Sequence, residues 1–261
     1  MSESKENLFN VVHFKQITPS CFELKMIPEK PITFKAGQFT SFAIPLINEP
    51  AREARESREV RRAYSIASHP ENETFDFCIK LVEGGPGSTH LSKLRAGDNI
   101  RGFAPFGHFI YKPHSEKKAL FIATSTGIAP FKSMLFSEDF LQNPPKETLC
   151  LMGARDETEL LYHEELKARL GNKYVPCLTR PQNFTDHNFK GRVTDFLRSM
   201  NTTKLLEWNF YLCGNGAMIK EIQAYLIEHL VPKEQIFKEA YFQPSASPNN
   251  TATSNPSDAT P

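Results

Sequence analysis

The order of apolar and polar positions divides this chain into two halves with different rhythms. Up to about residue 112, short aromatic or β-branched runs recur: Phe9–Phe14, Phe22–Met26, Phe39–Ile44 and Phe75–Val82. Several alternate apolar and polar residues, the period of a half-buried strand. Gly37, Gly97-Asp98 and Gly102 punctuate the runs, and one helix-like segment, Ser88–Leu94, interrupts them. This pattern predicts a small antiparallel barrel. From Ala119 the apolar runs are continuous and alternate with helical stretches. Strands are predicted at Leu120–Ala123, Thr148–Met152, Tyr174–Leu178, Asn209–Cys213 and Gln235–Ala240. Helices are predicted at Ala129–Asp139, Glu157–Leu170, Val193–Met200 and Ala217–His229. Alternation of this kind implies a parallel sheet covered by helices on both faces. The expected fold is thus an antiparallel β-barrel over residues 1–114 and a parallel-sheet α/β domain over 118–242, joined near Lys112–Lys118.

Two segments stand outside this plan. Residues 48–61 form a charged, apolar-poor insertion in the barrel, read as a solvated loop. Residues 243–261, rich in Ser, Pro, Asn, Thr and Ala, read as a disordered tail.

Composition narrows the function classes. The 261 residues carry a net charge of only +1, which gives no global electrostatic case for nucleic acid or an anionic membrane. No apolar run is long enough to span a bilayer, and Met1–Asn7 lacks the apolar stretch of a secretory signal. Five dispersed cysteines argue against a disulfide framework and against an in-chain iron–sulfur cluster. A soluble, cytoplasmic monomer without a metal site is expected, neither a nucleic-acid binder nor a membrane-spanning protein.

Four short motifs carry the chemistry. Arg62-Ala63-Tyr64-Ser65 offers a cation, an aromatic face and a hydroxyl at a strand end. Those are the groups a flat ring tied to a diphosphate requires. Alone, the motif better fits a barrel strand with one core Tyr and a surface Arg. Gly84-Gly85-Pro86-Gly87-Ser88-Thr89 is a glycine-rich turn opening a helix, where N–H groups attract a diphosphate and Ser88 and Thr89 add hydroxyls. Thr124-Ser125-Thr126-Gly127-Ile128-Ala129-Pro130 lies at the first strand-to-helix crossing of the second half, and Cys213-Gly214-Asn215-Gly216 at a later one. Both turns should border one crevice outside the carboxyl ends of the strands. Arg155 and Thr179-Arg180 also follow strands there, and arginine is the natural partner of a phosphate.

Over Phe9–Phe242 these motifs, in this order, resemble those of the ferredoxin–NADP reductase family. The resemblance implies an FAD-binding barrel followed by an NADP-binding α/β domain, with FAD and NADP(H) as cofactors. It implies that Arg62 pairs with the FAD diphosphate, with Ala63 beside it, and that Tyr64 lies against the isoalloxazine. Ser65 would hydrogen-bond near N5, and Gly87, Ser88 and Thr89 would hold the diphosphate. Thr126 and Gly127 would meet the NADP diphosphate or nicotinamide, and Cys213 and Gly214 would border the transferring hydride. Arg180, with Arg155 and Thr179, would meet the 2′-phosphate. Glu239-Ala240-Tyr241-Phe242 is similar to the family's Glu-x-Tyr ending, which covers the flavin or its adenine. Ser65, Cys213 and Glu239 are the implied catalytic residues.

Three departures stand out. Ser125 replaces a usual glycine, nineteen residues follow Phe242, and the insertion before Arg62 is long. The implied activity is hydride transfer between NADP(H) and FAD, with single electrons passing to or from ferredoxin or flavodoxin. Arg52, Arg55, Arg58, Arg61 and the Lys117-Lys118 pair are the candidates to steer such an acidic carrier. The alternatives are a reductase component of an oxygenase or a flavin or quinone reductase, and a flavin-binding redox module without catalysis.

Overall fold

A computed structural model describes residues 5–46, 59–183, 185 and 187–241. Most of the charged insertion, including Arg52, Arg55 and Arg58, lies outside the described residues, as do Phe242 and the tail.

The first sheet contains β1 (Lys5–Thr18), β2 (Cys21–Pro28), β3 (Phe39–Pro45), β4 (Glu59–Ser65), β5 (Phe75–Lys80) and β6 (Asn99–Phe106). Its order is β4-β3-β6-β1-β2-β5, and every pairing is antiparallel. A bridge between Ile66 and Phe77 joins the chain leaving β4 to β5 and brings the two edge strands together. Inward alternation supplies the core, where Phe9 meets Phe42 edge-on at 5.3 Å and Phe42 meets Phe77 at 4.9 Å. The central strand β6 is absent from the sequence pattern, because Arg101, Gly102 and Pro105 mask its alternation. The short helix α1 spans Pro86–Leu91.

The second sheet contains β7 (Lys118–Thr124), β8 (Thr148–Ala154), β9 (Tyr174–Leu178), β10 (Phe189–Lys190), β11 (Trp208–Asn215) and β12 (Ile236–Tyr241). Its order is β10-β9-β8-β7-β11-β12, with all pairs parallel. The chain builds outward from β7 on one side and then returns to its other side at β11. The crevice of such a sheet opens at that reversal, beyond the carboxyl ends of β7 and β11.

Two predicted helices prove shorter or divided. The predicted Ala129–Asp139 helix becomes α2 (Ile128–Phe136) and α3 (Glu138–Gln142). Ser137 adopts an extended conformation between them, and its hydroxyl accepts from the Phe140 N–H as a cap. The helix predicted from Glu157 begins only at α4 (His163–Leu170), because Tyr162 takes a left-handed conformation with φ 55°. Helices α5 (Val193–Ser199) and α6 (Gly216–Glu228) complete the fold.

The two halves share a core. Cys21, Ala36, Ala67, Cys78 and Phe109 pack in one cluster with Phe131, Met134, Leu161 and Tyr162. Hydrogen bonds cross the same boundary, among them Ser133 to the Ser68 carbonyl at 2.6 Å, Tyr162 to Glu23 at 2.8 Å and Ser20 to Glu159 at 2.6 Å.

Candidate active site

Alternation along β4 puts Arg62 and Tyr64 on one face and buries Ser65 on the other. Ala63 pairs across the ladder with Ser41. The Tyr64 ring leans on Phe42 at 6.0 Å, and burial pushes its hydroxyl up to about 12 despite the opposing effect of Arg62. The first turn of α1 abuts these two side chains. A Cβ added at Gly87 would lie 2.5 Å from the Tyr64 hydroxyl and 3.0 Å from Arg62 Cγ. No side chain caps α1. An Arg, an aromatic face and uncapped backbone N–H groups therefore meet in one cradle, which fits an anionic, ring-bearing cofactor. Ser88 behaves differently from the sequence expectation. Its buried hydroxyl accepts from the Val82 N–H at 3.0 Å and lies within reach of the Val82 and Gly85 carbonyls, so it shapes the turn. Thr89 is exposed.

Ser65 opens onto the crevice between the halves. Its hydroxyl donates to Glu239 Oε2 at 3.2 Å and lies 3.2 Å from the Tyr241 hydroxyl. Tyr241 in turn donates to the Thr126 carbonyl at 3.1 Å. The parallel register of β12 on β11 sets Glu239 beside Cys213 and Tyr241 beside Asn215. Cys213 is fully buried, and burial with the nearby Glu239 carboxylate holds its thiol well above the usual range. It is thus a neutral wall of the crevice.

Burial pushes the Glu239 carboxyl up to about 7, against the Ser65 hydrogen bond, which acts to lower it. The folded protein therefore binds a proton there that the unfolded chain has lost. Stability contributed by this group is complete below the usual carboxylate range and is lost as pH rises towards and through about 7. The cost at high pH is on the order of 3 kcal/mol. Glu239→Gln is expected to remove that slope, with urea denaturation between pH 5 and 8 as the check.

The turns at Thr124–Pro130 and Cys213–Gly216 touch through their backbones. A Cβ at Gly127 would fall 2.3 Å from the Cys213 carbonyl oxygen and 2.8 Å from Gly214 Cα. Gly214 itself takes φ 131° directly under Thr124, and the Asn215 N–H donates to Thr124 Oγ1 at 3.0 Å. Asn215 then caps α6 with its side-chain oxygen, whereas no side chain caps α2. The anion-facing N–H groups are not those of α2 itself, where the Ile128 N–H bonds to the Ser125 carbonyl and Pro130 has none, but those of the preceding turn Ser125–Gly127, which no side chain caps. Ser125 adopts a left-handed φ of 51°, the conformation in which glycine is least costly.

Arg155 and Arg180 emerge side by side. The Arg180 N–H donates to the Arg155 carbonyl at 2.7 Å, and the Thr179 N–H to the Ala154 carbonyl at 3.3 Å. Both guanidiniums are exposed, and among the described residues neither has a carboxylate partner. Glu157, not singled out by the sequence, accepts from the Gln182 and Asn183 N–H groups and fixes the loop beyond Arg180. These bonds hold its carboxyl below the usual range.

The Lys117-Lys118 pair is a correction. It stands at the start of β7, at the far end of the sheet from the crevice. Lys117 donates to the Leu206 carbonyl, and Lys118 bridges Glu147 and Glu207. Among the described residues no cluster of His, Cys, Asp and Glu could hold a metal ion, and no helix is long and apolar enough to cross a membrane.

Residues 16–111 match the profile of an oxidoreductase FAD-binding domain, and residues 121–224 that of an oxidoreductase NAD-binding domain. The chain belongs to the ferredoxin–NADP reductase family. It is 38% identical over 140 residues to ferredoxin–NADP reductase B of Sorangium cellulosum, covering 53% of either chain. It is 29% identical over 234 residues to the reductase component DmpP of phenol 2-monooxygenase from a Pseudomonas species, covering 87% of this chain and 63% of the relative. The chain thus spans only 53% and 63% of those relatives' lengths. A ferredoxin NADP+ reductase from Neisseria gonorrhoeae, solved with FAD and NADP bound, shares the fold. The TM-score is 0.75 at 22% identity, over 93% of this chain and all of the other. As a family member, the chain carries an FAD-binding barrel and a nicotinamide-nucleotide-binding domain.

Proposed function

We propose that this protein is an FAD-dependent reductase that takes a hydride from NADPH and passes single electrons to a small protein carrier. The observation that carries this reading is the meeting of Ser65, Glu239, Tyr241, Thr126 and Cys213 in one crevice between the two nucleotide domains. FAD, when bound, supplies the ring that accepts an electron pair and releases electrons singly. Arg62 and the backbone of Gly87, Ser88 and Thr89 would hold its diphosphate, Tyr64 would lie along the ring, and Ala63 would leave room beside it. Ser65 offers a hydroxyl to the reacting edge. Thr126, Gly127, Cys213 and Gly214 would line the nicotinamide side, and the uncapped turn Ser125–Gly127 would face the phosphates. Glu239, with a carboxyl poised near neutrality, holds or releases a proton at Oε2 next to Ser65. The neutral Cys213 thiol and the packed interdomain core exclude water from the crevice.

Thr179, Arg180 and Arg155 form the 2′-phosphate site and favour NADPH over NADH. Arg180→Ala is expected to weaken NADPH binding by about tenfold, the scale of one charge-assisted contact. NADH use should change little. Steady-state KM values for both nucleotides check this, and an equal loss for both would refute the role.

Ferredoxin or flavodoxin is the carrier in this reading. The similarity to an oxygenase reductase component favours a second partner class, the electron-accepting protein of an oxygenase. Reduction of each purified carrier under turnover separates the two.

A further inference from the structure

A buried tie between the two domains lies outside all of the nucleotide turns. Ser133 is completely buried on α2, and the only hydrogen bond of its hydroxyl among the described residues crosses to the Ser68 carbonyl at 2.6 Å. Each partner is joined rigidly to one wall of the crevice. On the barrel side, Ile66, Ala67 and Ser68 are buried and follow directly on Ser65. They are held by the Ile66–Phe77 bridge, by Ala67 N–H to the Asp76 carbonyl at 2.7 Å, and by Asp76 N–H to Ser68 Oγ at 3.1 Å. On the other side, α2 begins directly after Gly127, whose backbone rests on Cys213. Ser65, Ser68, Ser133 and Gly127 therefore close a frame around the crevice.

We infer that Ser133 is a positioning residue: its bond to Ser68 sets how closely the Thr126–Gly127 turn and Cys213 approach Ser65. The inference rests on the reductase reading above, because only there does that separation govern a rate. The neighbouring ionic tie, Lys132 to Asp76 at 3.9 Å, borders a cavity of about 220 Å³ that also exposes Lys25, His69 and Glu165. Lys25 also pairs with Asp76, at 3.4 Å, and Glu165 with Lys132, at 3.4 Å, so this ion pair holds the frame less firmly than the dry Ser133 bond.

Hydride transfer is steep in distance, and a displacement near one ångström costs up to about 100-fold. In the FAD-loaded full chain, Ser133→Ala is expected to lower the limiting rate of flavin reduction by NADPH by roughly tenfold. The apparent Kd for NADPH should stay within about twofold, which separates positioning from loss of binding. Ser133→Cys, which keeps the size and a weak donor, should fall between Ser and Ala, and Lys132→Met should remain near the wild-type rate. A second readout needs no turnover. Amide exchange at residues 65–68 and 124–129, without nucleotide, should quicken about fivefold in Ser133→Ala, the opening expected from losing one buried hydrogen bond. Strands β1 and β2 should be unaffected. Wild-type rate and wild-type exchange in Ser133→Ala would overturn the inference. If NADPH and NADH both leave the wild-type flavin oxidised, the reductase reading fails, and unchanged exchange alone then overturns the clamp.

Discussion

Gly127→Ala is expected to slow nucleotide-driven flavin reduction by about 100-fold while leaving FAD bound. The new Cβ would stand 2.3 Å from the Cys213 carbonyl oxygen and 2.8 Å from Gly214 Cα. Both are backbone atoms of β11, a strand paired on both sides, so neither can swing aside. The turn itself must move, carrying Thr126 and the start of α2 away from Ser65. A shift on the order of 1 Å is enough to cost about 100-fold in rate, and the forced repacking adds roughly 1–3 kcal/mol of destabilisation. The barrel is untouched, so the flavin spectrum should persist. Gly216→Ala is the control: it opens α6 with nothing within 4 Å of the added Cβ and should be nearly neutral. Stopped-flow reduction of the two variants checks the contrast, and a Gly127→Ala rate like that of wild type would contradict the proposed crevice.

Ser65→Ala should slow flavin reduction by about 100-fold, the scale of losing one donor aimed at a reacting centre. The same change carries a second signature. The Ser65 hydroxyl is the one hydrogen bond acting to lower the Glu239 carboxyl, which already sits at about 7. Its removal leaves desolvation unopposed, so the carboxyl moves higher and the protonated form extends to more alkaline pH. The pH profile of the limiting rate should shift upward in Ser65→Ala and flatten in Glu239→Gln. A variant that loses rate with an unmoved profile would mean that Ser65 and Glu239 act separately.

Much of this architecture is legible in the chain. Apolar alternation up to Val82 and strand–helix alternation from Ala119 specify two sheets of different kinds, because burial on one face or two leaves different periods. Strand β6 is hidden, since Gly102 and Pro105 answer to packing and not to strand propensity. The breaks at Ser137 and Tyr162 are equally hidden, because each arises where a polar cap or a tertiary contact overrides a continuous helical pattern. Turn residues such as Gly127 and Gly214 are readable because backbone approach leaves a compositional trace. The Ser65–Glu239–Tyr241 contacts are not, as they depend on the register of β12 against β11 across a domain boundary. Ser133 gives no signal at all: a serine within an apolar helix acquires meaning only through the carbonyl it meets.

The most direct measurement is an anaerobic titration of the purified holoprotein with NADPH and then with NADH, followed by visible absorbance. The account predicts a bound-flavin spectrum that NADPH bleaches within seconds and in preference to NADH. A bound flavin that neither nucleotide reduces would contradict it, leaving a chain with the family's fold and cofactor but without hydride transfer across the crevice.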